Sequence, residues 1–189
     1  STLRLWARVL AAVAGSRLVL KSSGLDPAHA LPRLAAAGLD LTRVTVLPAC
    51  ADYHAHLASY AKVDVALDPF PYNGTTTTCE ALWMGRPVIT RAGDRHASRV
   101  GASLLTAIGQ AAWIARDDDD YLRIATAVAA DVEALGRTTG RLRGDLGARR
   151  EDGVRVGELG GDGDARMDAA DGGPLAHPPV ERDGLLELR

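Results

Sequence analysis

Four consecutive threonines, residues 75–78, are the part of this chain best suited to chemistry. They follow Asn73 and Gly74, and they stand between an apolar run ending at Asp68 and a second apolar run over 87–90. This order predicts a strand, a polar turn, a helix and another strand. A helix begins with four unpaired backbone N–H groups and a partial positive charge, which suits a phosphate group. A threonine-rich helix cap without any ligand is the equally weighted alternative.

Glu80 stands one helical turn after the threonines, where its carboxylate could accept hydrogen bonds from a ribose. Other kinds of chemistry find little support. No Ser/His/Asp or Cys/His arrangement has a spacing that supports nucleophilic catalysis, and no Asp or Glu residues are spaced as a metal pair. Cys79 lies inside the predicted helix and is expected to be a small packing residue.

Strand and helix patterns alternate through the first two thirds of the chain. Short apolar strands are predicted at 17–21, 44–47, 63–67, 87–90 and 112–114. Helices are predicted at 3–14, 27–37, 54–60, from the threonine turn to about 84, at 97–108 and at 118–135. Such alternation predicts βαβ units in a mostly parallel sheet, with sites at the carboxyl ends of the strands. Trp83 and Trp113 lie in apolar patterns and are expected in the core.

Composition bounds the class of protein. The 189 residues allow one ordinary domain, or a domain with a tail, and the net charge of −2 gives no electrostatic case for nucleic acid or an anionic membrane. No apolar run reaches the roughly 18 residues of a membrane span. The two cysteines fit a reducing compartment, so we expect a cytoplasmic location. The start at Ser1, without Met, predicts a piece of something longer.

The chain changes character after about residue 141. Half of its 20 glycines lie beyond residue 143, among scattered Asp and Arg, without a helical or strand period. Such a segment buries too little apolar surface to offset its ordering entropy. We therefore predict a folded domain over 1–143 and a disordered tail over 144–189.

The segment 64–88 carries a family resemblance. An Asn-Gly-x-Thr-Thr turn is joined to Leu-Trp-x-Gly-x-Pro over 82–87, and the match continues through Gly93-Asp94 and the Ala-Ser-Arg-Val run at 97–100. With these motifs the chain resembles the C-terminal half of the O-GlcNAc transferase family, of the bacterial type, over roughly residues 1–143.

The resemblance implies an α/β fold: the C-terminal, Rossmann-like lobe of a GT-B glycosyltransferase. The family moves GlcNAc from UDP-GlcNAc to Ser or Thr of proteins, with inversion. It needs no metal and no other cofactor, because helix N-termini and basic side chains neutralise the diphosphate. The implied partners are a UDP-sugar and an acceptor protein.

Family residues map onto the threonine turn and its surroundings. Thr76 and Thr77 match the threonines that contact the diphosphate, within the turn formed by Asn73, Gly74 and Thr75. Two further matches complete the nucleotide-binding set implied by the resemblance. Glu80 matches the acidic residue that binds the ribose, often Asp in the family, and His56 matches a histidine of the uridine-binding segment.

The chain departs from the family pattern in ways that lower the positive charge of this pocket. Many members have His where Thr75 stands, and some have a basic residue where Ser59 stands. Lys21, at the end of the first strand, could restore charge, or it could be a solvated strand-end lysine. Arg99 could face the cleft, although anchoring its loop by a salt bridge is the favoured interpretation.

The family's phosphate-binding lysine, its N-terminal catalytic domain and its TPR helical repeats, which hold the acceptor protein, all match positions upstream of Ser1. We therefore assign no catalytic residue within this chain and expect it to be inactive by itself. Two alternatives stay open: a non-catalytic nucleotide-binding remnant, and a GT-B enzyme that uses another nucleotide sugar.

Overall fold

The structure is a computed structural model that describes residues 1–21, 26–131, 137, 141–142 and 185–188. Its helices are α1 (Thr2–Ala12), α2 (Pro27–Ala36), α3 (Tyr53–Ala58), α4 (Thr76–Trp83), α5 (Val100–Ala107) and α6 (Asp118–Ala130). Its strands are β1 (Leu18–Lys21), β2 (Val44–Leu47), β3 (Val65–Leu67), β4 (Val88–Arg91), β5 (Ile114–Ala115) and β6 (Leu185–Leu188). Short 3-10 turns lie at Leu41–Arg43, Ser59–Lys62, His96–Ser98 and Ala111–Trp113.

The strands form one sheet in the order β2-β1-β6-β3-β4-β5. β1 pairs with β2 in parallel, and β4 pairs in parallel with β3 on one side and with β5 on the other. Each of these strands is followed by a helix or a helical turn, as the alternating sequence pattern predicts. The predicted Rossmann-like α/β fold is confirmed.

Two hydrophobic clusters lie on the two faces of the sheet, because side chains alternate in direction along a strand. Leu18 and Leu20 of β1 join one cluster and Val19 joins the other. In β3, Leu67 faces the first cluster and Ala66 the second. Helices α1, α2 and α6 pack in the first cluster, and α4 and α5 pack in the second.

Helix starts follow from local sequence. Asp26 caps α2 by accepting a hydrogen bond from the backbone N–H of Ala28, with Pro27 at the first helical position. Asp117 caps α6 in the same way and precedes three more acidic residues in the first turn. Most predicted element bounds lie within three residues of those observed; the predicted end of α6 at 135 falls outside the described residues.

Two predictions need correction. Of the tail predicted to be disordered, the structure describes residues 185–188, and these form β6, antiparallel to both β1 and β3. The Leu-Leu-Glu-Leu sequence is apolar enough for a central strand, and the backbone edges of β1 and β3 that face each other supply its partners. The remainder of 144–189 lies outside the described residues.

The second correction concerns Trp83, which is 45% exposed rather than buried. The apolar buried face of α4 runs through Ala81 and Leu82, and this orientation turns Trp83 outward. Among the described residues, no helix is both long and apolar enough to cross a membrane.

Candidate nucleotide-binding site

The polar turn begins where β3 ends, at the carboxyl edge of the sheet. Asp68 directly follows β3, and its backbone N–H donates to the carbonyl of Ile89 at 2.9 Å. The buried Asp68 carboxylate accepts hydrogen bonds from the backbone N–H of Gly74 at 2.8 Å and from the Thr90 hydroxyl at 2.5 Å. These bonds tie the turn to β3 and β4.

Asn73 holds the middle of the turn in place by hydrogen bonds, and Gly74 allows the Thr77 side chain to approach the backbone closely. The Asn73 side chain donates to the carbonyl of Pro69 at 2.9 Å, and its backbone N–H donates to the carbonyl of Ala97 at 2.8 Å. A Cβ atom on residue 74 would lie 2.5 Å from the Thr77 hydroxyl oxygen. The turn therefore requires glycine at this position, and the sequence supplies it.

Helix α4 begins without a side-chain cap. Thr75 occupies the cap position, but its side chain makes no hydrogen bond to the first turn of the helix. Within the described part of the chain, the backbone N–H groups of Thr76, Thr77 and Thr78 find no acceptor. Thr75 and Thr76 are exposed and Thr77 is half-buried. Capping therefore does not explain the threonines, whereas an anion would satisfy these donors.

Replacing Thr75 by alanine should change the free energy of unfolding by less than about 0.5 kcal/mol, because its hydroxyl makes no cap bond. Asp117→Ala is the matched control. Asp117 accepts a hydrogen bond from the Asp120 N–H at 2.8 Å, and its loss should cost about 1 kcal/mol. Urea unfolding of both variants makes the comparison; equal losses would show that Thr75 does cap α4.

Three predicted residues meet in a hydrogen-bonded chain beside this turn. Lys21 Nζ lies 2.5 Å from His56 Nδ1, and His56 Nε2 lies 2.8 Å from Glu80 Oε2. Lys21 also donates to the Ser59 hydroxyl at 3.1 Å. Lys21 comes from the end of β1, His56 from α3 and Glu80 from α4. These hydrogen bonds therefore join three separate elements.

The chemistry of these groups fixes the direction of the hydrogen bonds. A lysine ammonium only donates, so Nδ1 of His56 must accept from Lys21. The ring proton then lies on Nε2 and is donated to the Glu80 carboxylate. Lys21 is thus bound to His56 and Ser59 rather than being the solvated strand-end lysine of the alternative interpretation.

Lys21→Met is expected to release the His56 ring from its single tautomer. Long-range ¹H–¹⁵N spectra of the wild-type chain should show a non-protonated Nδ1 and a protonated Nε2, and the variant should show a mixture of both tautomers. Lys62→Met, at an exposed lysine, is the control and should leave the His56 signals unchanged. A protonated Nδ1 in the wild-type chain would contradict the assignment.

Two tyrosines of this site were missed by the sequence analysis. Tyr60 is buried, and its hydroxyl donates to Glu80 Oε2 at 3.3 Å. The rings of Tyr53 and His56 stack at 6.0 Å, and that of Tyr60 meets His56 edge-on at 5.7 Å. The two tyrosines stand three residues before and four after His56, the spacing of neighbours on one helical face, which could have identified them.

Arg99 lies between β4 and α5, directly before the first residue of α5. Its guanidinium donates to the carbonyl of Gly93 at 3.1 Å, so the loop is anchored through backbone where a salt bridge was expected. Burial raises the pKa of the Cys79 thiol, which disfavours its nucleophilic thiolate form. The described residues contain no group of three His, Cys, Asp or Glu side chains that could hold a metal ion.

A polar turn and an uncapped helix start lie at the carboxyl ends of parallel strands, which is where α/β sheets commonly bind ligands. The profile of glycosyl transferase family 41 matches residues 1–151. The chain therefore belongs to glycosyl transferase family 41, a family of glycosyltransferase enzymes.

Individual relatives agree with this assignment. The chain is 44% identical over 145 residues to the probable UDP-N-acetylglucosamine–peptide N-acetylglucosaminyltransferase SPINDLY of Eustoma exaltatum subsp. russellianum, covering 75% of this chain and 16% of the relative. It is 32% identical over 136 residues to the UDP-N-acetylglucosamine–peptide N-acetylglucosaminyltransferase of Caenorhabditis elegans, covering 71% of this chain and 12% of that protein.

A solved structure gives the fold. A mutant of the Thermobaculum terrenum O-GlcNAc transferase superposes with a TM-score of 0.72 at 37% identity, covering 77% of this chain and 29% of the other. The resemblance to the O-GlcNAc transferase family and the GT-B fold are thus confirmed. Plant, nematode and bacterial proteins all match, so the bacterial type stays a prediction. The chain spans about one sixth of the length of the curated relatives named first.

Proposed function

We propose that this chain is the donor-binding half of a protein O-GlcNAc transferase. In this proposal the diphosphate of UDP-GlcNAc binds at the start of α4, the ribose at Glu80 and the uracil near His56. The observation that carries the proposal is the set of unpaired first-turn N–H groups of α4, one helical turn from the buried Glu80 carboxylate. The printed names of the relatives support UDP-N-acetylglucosamine as the donor and a peptide as the acceptor.

The proposed contribution to catalysis is stabilisation of the leaving group. When the sugar leaves, negative charge grows on the β-phosphate, and fixed N–H donors at a helix start stabilise it with little reorganisation. The hydroxyls of Thr76 and Thr77 add donors that can rotate toward phosphate oxygens. No metal or other cofactor takes part in this scheme.

Glu80 is preorganised for a ribose. The hydrogen bonds from His56 and Tyr60 reach Oε2, Tyr53 also interacts with the carboxylate, and these contacts orient Glu80 before a ligand arrives. A carboxylate has about four lone-pair positions, so Oε1 can accept from ribose hydroxyls while Oε2 keeps its partners.

Acceptor binding and the remaining catalytic groups are assigned to parts of the relatives that this chain does not match, including the predicted TPR repeats. We therefore expect the 189-residue chain to bind UDP without transferring GlcNAc to peptides. A cytoplasmic location, and the absence of nucleic-acid and membrane partners, are parts of the same proposal.

Calorimetric titration of UDP into the full chain tests the proposal. Thr76→Ala/Thr77→Ala should weaken UDP binding by about tenfold or more, since the loss of even one hydrogen bond to a charged group costs about 1.5–3 kcal/mol, while the backbone donors keep some binding. The matched double control is Thr106→Ala/Thr126→Ala, whose hydroxyls bond to carbonyls inside α5 and α6. Undetectable binding at millimolar UDP, or equal weakening in both double variants, would contradict the proposal.

A further inference from the structure

Asp68 is a buried carboxylate that lies beneath the proposed diphosphate site without belonging to it. The residue is 2% exposed. One carboxylate oxygen accepts from the Gly74 N–H at 2.8 Å, and the other accepts from the Thr90 hydroxyl at 2.5 Å. The Thr78 hydroxyl, which donates to the Gly74 carbonyl at 3.0 Å, also interacts with this carboxylate. Asp68 thus contacts Gly74 and Thr78, which lie on either side of the first residues of α4.

The Asp68 carboxylate lies close to the backbone of α5 and of the turn. A Cβ atom on Gly101 of α5 would lie 2.5 Å from Asp68 Oδ2, and one on Gly74 would lie 3.4 Å from Oδ1. On the α6 side, the Tyr121 hydroxyl donates to the Asp68 backbone carbonyl at 3.1 Å. The Asp68 carboxylate is therefore joined directly to the turn by its hydrogen bond with Gly74.

Among the described residues, the groups that face Asp68 are Thr90 from β4, Gly74 and Thr78 from the turn and α4, Gly101 from α5, and Tyr121 from α6. Tyr121 is the titratable side chain of this set. Burial, followed by the charge of Asp68, raises the pKa of Tyr121 well above its usual value, so the phenol stays neutral near pH 7. No cation belongs to this set to neutralise Asp68.

Burial raises the pKa of Asp68 to about 7, against the lowering effect of the bonds from Thr90, Gly74 and Thr78. Near neutral pH the carboxyl is therefore divided between its two protonation states. The ionised form accepts from the Gly74 N–H and the Thr90 hydroxyl, whereas the neutral form carries a proton that it can donate itself.

We infer that Asp68 is a positioning residue of the donor site, which holds the turn from inside and couples anion binding on α4 to proton uptake by its own carboxyl. The inference rests on the proposed function, because the anion is the diphosphate of the nucleotide sugar. The start of α4 would be shared by two anions, Asp68 on the inner side and the diphosphate on the outer side.

The sign of the effect follows from repulsion between like charges. A diphosphate near Asp68 favours the neutral carboxyl and raises its pKa further, so binding takes up protons near and above pH 7. Donor affinity should then fall as pH rises through this range. Two unit charges about 12 Å apart, at the effective dielectric constant of about 20 typical near a protein surface, shift a pKa by about one unit, so the expected fall is about tenfold from about pH 6 to about pH 9.

The test uses UDP-GlcNAc and the full chain. Both phosphates of UDP-GlcNAc are diesters with a constant charge in this range, whereas the terminal phosphate of UDP titrates and would obscure the signal. Calorimetry in buffers of different ionisation enthalpy should show net proton uptake and the tenfold fall in the wild-type chain, and neither in Asp68→Asn. Because His56 also lies at the site, the difference between wild type and variant is the relevant quantity. Asp64→Asn, at an exposed position before β3, is the matched control and should behave as wild type.

A second readout needs no ligand. In spectra of the free chain, the Gly74 amide should titrate with a midpoint near pH 7, and this titration should vanish in Asp68→Asn. If Asp68→Asn fails to fold, Thr90→Val serves instead: it removes a hydrogen bond to the ionised carboxylate and should move the Gly74 midpoint to higher pH.

Identical proton uptake in wild type and Asp68→Asn, or a Gly74 amide that does not titrate near neutral pH, would overturn the inference. A Gly74 titration without any binding of UDP-GlcNAc would contradict the proposed function, while supporting the coupling between Asp68 and the turn. The two failures are therefore distinguishable.

Discussion

Replacing Glu80 by alanine should weaken UDP binding by about tenfold to a hundredfold, the largest effect on affinity expected from a single side chain here. The change removes the carboxylate that would accept the ribose hydroxyls, and hydrogen bonds to a charged group contribute about 1.5–3 kcal/mol. It also removes the acceptor of the His56 Nε2 proton and one of the acceptors of the buried Tyr60 hydroxyl, which keeps the Thr77 carbonyl at 3.3 Å. The free energy of unfolding should therefore fall as well, by about 1–3 kcal/mol.

Two companion variants separate these effects. Glu80→Gln keeps an oxygen that can accept from His56 and Tyr60 but loses the charge, so the loss of UDP affinity should be smaller than in Glu80→Ala. Asp64→Ala removes an exposed carboxylate at the opposite edge of the sheet and should change neither quantity. Calorimetry and urea unfolding measure both. Unchanged UDP affinity in Glu80→Ala would contradict the proposal that Glu80 binds the ribose.

Leu67→Ala should lower the free energy of unfolding by about 2–5 kcal/mol, the largest expected effect on stability. Leu67 is completely buried in β3 and belongs to the cluster formed with α1 and α6. Its truncation removes apolar contact and leaves a cavity, since neighbouring side chains relax only in part. Domains of this kind have total stabilities of about 5–15 kcal/mol, so the variant should lose a large fraction of its stability.

Leu41→Ala is the matched control for this prediction, because Leu41 is 37% exposed and its truncation should cost less than about 1 kcal/mol. Urea unfolding monitored by circular dichroism compares the two variants. A loss below about 1 kcal/mol in Leu67→Ala would show that β3 is not central to the stability of the sheet.

The sequence predicted the elements well where the signals were local. The bounds of β2 and the start of α2 at Pro27 were predicted correctly, since a short β-branched run and an Asp-Pro cap act within a few residues. Long-range pairing was not predictable in this way. β6 joins β1 across more than 160 residues, and no local pattern states which backbone edge a four-residue segment will pair with.

In the candidate site, too, local features were predictable from the sequence and long-range contacts were not. The threonine turn and Glu80 were found because they lie together in sequence. The contacts of Lys21 with His56 and of His56 with Glu80 join residues 35 and 24 positions apart, and only the fold brings them together. The position of Asp68 at the end of a buried strand was visible, but its burial and its bond to Gly74 depend on packing against β4, α5 and α6.

The most direct test of the proposed donor site is a titration of UDP into the ¹⁵N-labelled chain, followed through the backbone amides. If the diphosphate binds at the start of α4, the Thr76, Thr77 and Thr78 amides should show the largest shifts, downfield in the proton dimension, because their N–H groups acquire a charged acceptor. Saturating shifts elsewhere in the sheet, with these three amides unmoved, would contradict the placement of the diphosphate and with it the proposed function.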